Sequence, residues 1–197
     1  MKDADASALN RFRSEYPTAQ DPSVRLTHTD LMIALVARTL VRHPRVNASW
    51  AGDNLIENAE VNIALAIAVE DGVIAPVIPG ADTASLTDIA ARRNDLALRA
   101  RAGRLRPADL AGGTFAISNL GMFGVDAFSA IIMPPQAAIL AIGQIADRAV
   151  VVDGEIAIRP MLTMTLSSDH RVLDGAKAAA FLRDLTSVLS EPSLCLT

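Results

Sequence analysis

The densest polar segment of the chain is Ser167-Ser168-Asp169-His170-Arg171-Val172-Leu173-Asp174-Gly175, set in an otherwise apolar stretch. It falls between an expected strand and an expected helix, the kind of junction that holds functional groups on rigid supports. Histidine ordinarily titrates near neutrality, so His170 qualifies as a general base, and the carboxylate four residues on, Asp174, as its electrostatic or structural partner. The residues alone leave a second reading open, in which His170 is a hydrogen-bonded structural histidine and Asp174 caps the following helix.

A second candidate lies in Gly112-Gly113-Thr114-Phe115-Ala116-Ile117-Ser118-Asn119-Leu120-Gly121-Met122-Phe123-Gly124. A strand ending at Ser118 runs straight into a glycine-containing turn, so a hydroxyl and backbone N–H groups could face a developing oxyanion. The plainer alternative is a β-turn in which Ser118 and Asn119 bond their own backbone. Ser118 lacks the Gly-x-Ser-x-Gly elbow of hydrolases, and no glycine loop followed by Lys-Ser/Thr is present, so serine hydrolase and nucleotide hydrolase chemistry fit poorly. His28 precedes an expected helix cap and His43 a helix-ending Pro44; both are expected at the surface, and no metal-ligand spacing occurs.

These residues must be carried by a chain of 197 residues, enough for one large domain, and its 51% hydrophobic content is ample for a core. The aromatic share of 4% is low and suggests small-residue packing or subunit contacts. A net charge of -4, with no dense basic block outside Arg92 to Arg106, argues against a nucleic-acid groove or an anionic membrane surface. Arg92, Arg93, Arg99, Arg101, Arg104 and Arg106 are expected mostly on the solvated side of a helix, with a phosphate contact as the alternative. Cys195 is the only cysteine, which excludes an intrachain disulfide and a cysteine-rich zinc site. The polar start is unlike a secretory signal, and no apolar run approaches the roughly 18 to 20 residues that span a bilayer. The expectation is a soluble protein of the cytoplasm.

Periodicity predicts a buried helix over Thr27 to Arg42 with Thr29 as its cap, and an alternating strand over Val61 to Val69 whose second face is Asn62, Ala64, Ala66 and Ala68. Val73 to Ile78, containing Pro76, reads as an edge or bulged strand. Ser85 with Asp88 opens a second helix that ends near Gly103. Strands are expected at 114–118, 127–132, 137–142, 149–152, 155–158 and 161–167, with Asp153-Gly154 as a hairpin turn. A last helix, Asp174 to Ser190, turns Phe181, Leu185 and Val188 inward. Helices placed early and late around a strand-rich second half favour a mixed α/β layer fold.

At these residues the chain resembles the dihydrolipoyl acyltransferase (E2) catalytic domains of 2-oxo acid dehydrogenase complexes. His170 to Gly175 fits the family's His-x-x-x-Asp-Gly signature, and Gly113 to Gly124 fits its Gly-Thr-Phe-x-Ile-Ser-Asn-Leu-Gly-Met-Phe-Gly segment. Ile131 to Leu140, Leu26-Thr27, His43-Pro44, Asn47 to Trp50, Val61 to Ile63 and Asp71-Gly72 follow the pattern too, so the resemblance runs nearly end to end. It implies a chloramphenicol acetyltransferase-like mixed β-sheet flanked by helices, and a homotrimer with its active site in a channel between subunits, open to assembly into a larger cage. The same resemblance implies an acyl transfer between a dihydrolipoyl thiol and coenzyme A. His170 would take the thiol proton, Ser118 would donate to the oxyanion, and Asp174 would fix the loop that holds His170. Asn119 and Gly175 would give structural support, and Arg13 is the best match for an arginine that pairs with the aspartate, with Arg11 second. Coenzyme A would be a substrate, the lipoyl group would arrive on a separate domain, and no metal would be needed. Lipoyl domains and the E1 and E3 components would be partners.

Measured against the family pattern, residues 1–197 read as a single catalytic domain lacking its first N-terminal segment, with no lipoyl or subunit-binding domain. Met133 stands where the family commonly has Asn, so apolar packing is expected in place of one loop hydrogen bond. Two other functions compete. One is a scaffold in which Leu194 and Leu196 of the tail anchor a neighbour, against a tail that folds back on its own subunit. The other is a stand-alone acetyltransferase acting on a small hydroxylated acceptor.

Overall fold

A computed structural model describes residues 1–16 and 26–196. The chain begins with β1 (Lys2–Asp5) and α1 (Ser7–Glu15), followed by α2 (His28–Leu40) and a small hairpin of β2 (Ala48–Ala51) and β3 (Asn54–Glu57). Next come β4 (Ile63–Val69), β5 (Gly72–Ile74), β6 (Val77–Ile78) and α3 (Leu86–Arg101). The second half is β7 (Phe115–Asn119), β8 (Ala138–Ile142), β9 (Ala146–Val152), β10 (Glu155–Ser168), α4 (Gly175–Ser190) and a final turn of helix, α5 (Ser193–Leu196).

The main sheet runs β1-β10-β8-β7-β4-β5, with β6 added to β4 and β9 to β10. β7 is parallel to both β4 and β8, and the other pairings are antiparallel. Together with the helices packed on one face, this is the expected mixed sheet.

That packed face draws on the apolar side of each strand. Ile63, Leu65 and Ile67 of β4, Phe115 and Ile117 of β7, Leu140 and Ile142 of β8 and Leu162 and Met164 of β10 meet α2, α3 and α4 in one cluster. Helix α2 sits deepest: Leu31, Met32, Ile33, Leu35, Val36 and Leu40 are all buried. At about 1.5 to 3 kcal/mol for each large side chain, that helix supplies much of the core's stabilisation. The opposite face is lined by small residues, and only a minor cluster of Ala64, Val77, Ala116 and Ile139 forms there, under Ala130, Ile132 and Met133. The apolar seat expected for Met133 is thus found, and its carbonyl accepts the Gln136 N–H at 3.1 Å.

Several local expectations need correction. The cap of α2 is Thr27, which shares a reciprocal capping box with Asp30, while the Thr29 hydroxyl instead accepts a bond from Asn119 Nδ2. Residues 127–132 alternate like a strand but pair with nothing described, because β7 and β10 already occupy both edges of β8. The two strands expected at 155–158 and 161–167 are one, and Pro160, opposite Asp147 of β9 on one edge, lies just before the stretch Met161–Met164 that β1 covers on the other edge, a place that tolerates a missing N–H. His43 is mostly buried, hydrogen-bonded to Asp184 at 3.1 Å and edge-on to Phe181. The tail divides: Leu196 is buried against its own subunit and Leu194 stays exposed. No helix among the described residues is long and apolar enough to cross a membrane.

The arginines of α3 and of the segment just after it are less uniform than a solvated face. Arg99 and Arg106 both hold Asp109. Arg93 reaches across to α2 and forks onto Asp30, with Nε at 2.6 Å and Nη2 at 3.2 Å from its carboxylate oxygens. The Asp30 carboxylate is fully buried and also accepts the Thr27 N–H at 2.7 Å and hydroxyl at 2.6 Å, so its charge is met on every side. Arg93→Ala strands that charge and is expected to lower the unfolding free energy by about 3 kcal/mol, read as a fall in the urea midpoint relative to the parent chain.

Candidate active site

His170 lies in the turn that follows β10, just before α4. Edge bonds hold the turn: the Asp169 N–H donates to the Ala137 carbonyl at 2.8 Å, and the Asp169 carbonyl accepts the N–H groups of Val172 at 2.9 Å and Leu173 at 3.0 Å. Val172 and Leu173 are buried and anchor the turn, leaving His170 and Arg171 exposed. The apolar pair between two exposed polar residues and Asp174 explains the local sequence pattern. Asp169 forks with Arg171, and that contact holds its carboxyl below the usual carboxylate range. Such a group adds stability above the ordinary carboxylate range and loses it as pH falls through the lowered value, so the fork is intact at neutral pH.

Asp174 is the N-cap of α4: it accepts the Lys177 N–H at 2.9 Å and ion-pairs with the Lys177 side chain, which lowers its titration. The expected pairing of Arg13 with Asp174 is not made. Arg13 belongs to the last turn of α1, next to His28 at the start of α2, and its charge adds to burial in depressing the His28 titration. His28, expected at the surface, is half buried and bonded to Asn10 at 2.7 Å. Gly175 opens α4 in free space, and nothing in the chain's own packing requires glycine there.

Ser118 is the fourth residue of β7, half-buried on the small-residue face with Ala116. In register it stands beside Ala66 of β4 on one side and Ala141 of β8 on the other, and Ala141 in turn stands beside Thr165 of β10. The Thr165 hydroxyl in this row is buried and has no partner among the described residues, a feature that no sequence signal marks. Asn119 ties the end of β7 to α2 through Thr29 and accepts the Gly121 N–H at 2.9 Å, opening the turn Gly121–Phe123. Met122 and Phe123 beyond it are exposed.

The structure therefore places both candidate residues at strand ends, but at opposite ends of the sheet. Ser118 is level with Thr165, two strands away, whereas His170 lies five residues further along the β10 direction. With about 4.8 Å between strands and about 3.3 Å per residue, the two lie roughly 15 to 20 Å apart in one chain. A hydroxyl and an imidazole that far apart cannot act on one reacting carbon within a single subunit.

Near the Ser118 end lies a cavity of about 860 Å³ between the sheet, α1, the start of α2 and α3. Arg13, His28, Arg93, Arg101, Asn119 and Gln144 supply its polar lining, with Met32, Leu65 and Ile142 among the apolar walls. Among the described residues no carboxylate lines it. Among the described residues no group of three or more His, Cys, Asp or Glu side chains is arranged to hold a metal ion.

The fold is similar to that of chloramphenicol acetyltransferase, which superposes with a TM-score of 0.56 at 15% identity over 95% of this chain and 86% of that one, a likeness of fold alone. Within that fold the chain belongs to the 2-oxoacid dehydrogenases acyltransferase (catalytic domain) family, whose profile matches residues 1–197. Its relatives include the dihydrolipoyllysine-residue acetyltransferase component of the pyruvate dehydrogenase complex of Zymomonas mobilis, 40% identical over 191 residues, 96% of this chain and 43% of the relative. The succinyltransferase component of the 2-oxoglutarate dehydrogenase complex of Rickettsia typhi is 37% identical over 95% of this chain and 46% of the relative. The chain thus spans less than half the length of these relatives. Among solved structures, the cubic core of a pyruvate dehydrogenase multienzyme complex superposes with a TM-score of 0.93 at 36% identity, over all of this chain and 82% of that one. The dihydrolipoamide acetyltransferase of Azotobacter vinelandii gives 0.93 at 35% identity with the same coverage. In that enzyme the catalytic roles of a serine, a histidine 52 positions after it and an asparagine four further on have been investigated.

One steric constraint governs the backbone next to Ser118. The Leu120 N–H bonds to the Ile142 carbonyl, the Gln144 N–H bonds to the Val125 carbonyl, and Gly143 lies between, pressed against the crossing chain. A Cβ on Gly143 would stand 1.9 Å from the Asp126 carbonyl oxygen, a clash with backbone that no rotamer relieves. Gly143→Ala is expected to cost about 3 kcal/mol and to loosen the chain after Ser118, seen as a lower melting temperature and faster amide exchange at 120–126.

Proposed function

We propose that this domain exchanges acyl groups between a dihydrolipoyl thiol and coenzyme A, at a site assembled from His170 of one subunit and Ser118 of the next in a trimer. The single observation that carries the reading is the separation of the two residues within one chain, because each needs the other and only a neighbouring copy can supply it. The spacing supports the same roles: Ser118 to His170 is 52 positions and His170 to Asp174 is four, as for the serine, histidine and asparagine of the Azotobacter enzyme. Aspartate replaces that asparagine here, and its carboxylate is occupied with the helix cap and Lys177.

The chemistry requires few groups. His170 takes the proton of the attacking thiol, the sulfur adds to the thioester carbonyl, and Ser118 donates to the resulting oxyanion. Collapse breaks the original C–S bond, and the departing sulfur recovers the proton from His170, so the base is regenerated and no redox step occurs. Either thiol can attack, which makes the exchange reversible. Arg13 and Arg101, both lining this cavity, suit the phosphate-bearing end of coenzyme A.

The lipoyl group would be delivered by a separate domain, and E1 and E3 components would work alongside. The cubic-core neighbour supports assembly of trimers into a larger cage, to which the exposed Leu194 offers an apolar contact. The pyruvate dehydrogenase relatives support acetyl as the acyl group.

His170→Ala is expected to abolish acetyl exchange between acetyl-coenzyme A and dihydrolipoamide, and Ser118→Ala to lower kcat by roughly 100- to 1000-fold. Retained exchange in His170→Ala removes it as the base. A shared site makes a further demand: co-expressing the two inactive variants should restore about a quarter of parental activity, because random mixing pairs an intact His170 with an intact Ser118 at that share of interfaces. A site within one chain would show no recovery.

A further inference from the structure

The catalytic reading leaves Arg171 without a task, yet its side chain is held by two structurally separate groups. Its guanidinium forks onto Asp169, with Nε at 3.0 and 3.2 Å from Oδ1 and Oδ2 and Nη2 at 2.6 Å from Oδ2. The Arg171 N–H donates to the same carboxylate at 3.0 Å, so the residues on either side of His170 are tied to each other across it. On its other side the guanidinium carbon lies 5.0 Å from the centre of the Trp50 ring. Trp50 is a half-buried residue of β2, and that strand is itself fastened to the loop beside the turn: the Trp50 N–H donates to the Pro135 carbonyl at 3.3 Å, and the Ala137 N–H to the Ala48 carbonyl at 3.0 Å. Ala137 in turn accepts the Asp169 N–H, which closes a ring of contacts around the His170 turn.

The His170 ring has no hydrogen-bond partner among the described residues, and the residue is exposed. Nothing in its own subunit other than the backbone of this turn fixes where the imidazole points. An exposed ion pair alone would be a weak restraint. A guanidinium that both forks to a carboxylate and lies over an indole face is a stiffer one, because two separate neighbours hold it at once.

We propose that Arg171 is a positioning residue for the acyl transfer: clamped between Asp169 and the Trp50 ring, it locks the turn so that the His170 imidazole is presented in one orientation to the site. The proposal rests on the reading of His170 as the base, and gives the β2–β3 hairpin a role in catalysis at a distance. Arg171 touches no reacting atom in this scheme. Lysine in its place keeps the charge but offers neither fork nor stacking plane, so charge and shape separate in one substitution.

The test uses the whole chain, with thermal melting and sedimentation confirming that each variant folds and assembles like the parent. Arg171→Lys should lower kcat for acetyl exchange about 10- to 100-fold while KM stays within about twofold, the pattern of a misoriented base rather than a lost binding contact. Trp50→Leu should fall in the same way, Trp50→Phe should recover most of the loss, and Arg171→Lys combined with Trp50→Leu should fall no further than the worse single variant. In parallel, the NMR signals of the carbon-13-labelled His170 ring should report one conformer in the parent and rotamer averaging in Arg171→Lys. A parental kcat with an unaveraged ring in Arg171→Lys overturns the clamp and leaves His170 as the base. Fully additive losses in the combined variant also overturn it, because the two contacts would then act separately. Exchange that survives in His170→Ala overturns the underlying assignment instead, and the ring signals alone then decide whether the clamp holds the turn.

Discussion

Strand β8 accepts β7 along one edge in parallel and β10 along the other in antiparallel sense. Those two ladders set the chemistry of the domain. Because β7 and β10 run in opposite directions on either side of one strand, the turns that follow them must emerge at opposite ends of the sheet. Ser118 closes one strand and His170 follows the other, so no side-chain rotamer or loop adjustment within the subunit can bring them together. The covering of a single face by helices follows the same logic, since it leaves the small-residue face, on which Ser118 opens, available to another molecule.

Much of this was legible in the residues. The alternation of β4, the Asp153-Gly154 turn, the Ser85 cap and the two polar segments at 112–124 and 167–175 carry short-range signals of the kind that periodicity and turn chemistry record. What escaped are features set by neighbours far apart in sequence. The pattern of 127–132 is that of a strand, but its neighbour in sequence, β8, already has both edges taken by β7 and β10. His43 reads as a surface residue beside Pro44, and only the arrival of α4 buries it against Asp184 and Phe181. Thr27 and Thr29 are equally good caps by type; the carboxylate of Asp30 selects the first.

The site shows the same division. His170, Ser118 and Asp174 stand out by type and spacing, whereas the stacking of Arg171 on Trp50 joins positions more than a hundred residues apart and leaves no local trace. Within one chain Arg13 and Asp174 are kept apart by topology. α1 delivers Arg13 to the start of α2, at the Ser118 end of the sheet, while Asp174 caps a helix that begins at the other end. Lys177, one turn into that helix, is near enough to take the arginine's place.

Arg38, half-buried among the helices, donates to three main-chain carbonyls: Asp82 at 3.3 Å, Ala84 at 3.2 Å and Cys195 at 2.5 Å. Every acceptor is a peptide group, so the fastening reads the path of the tail and ignores which side chains it carries. The exposed positions of the tail, Leu194 among them, can therefore drift in sequence without slipping from their berth, provided the backbone keeps its course and Leu196 stays seated in the core. A surface that must fit different neighbours could be rewritten there one residue at a time, with the fold beneath it undisturbed.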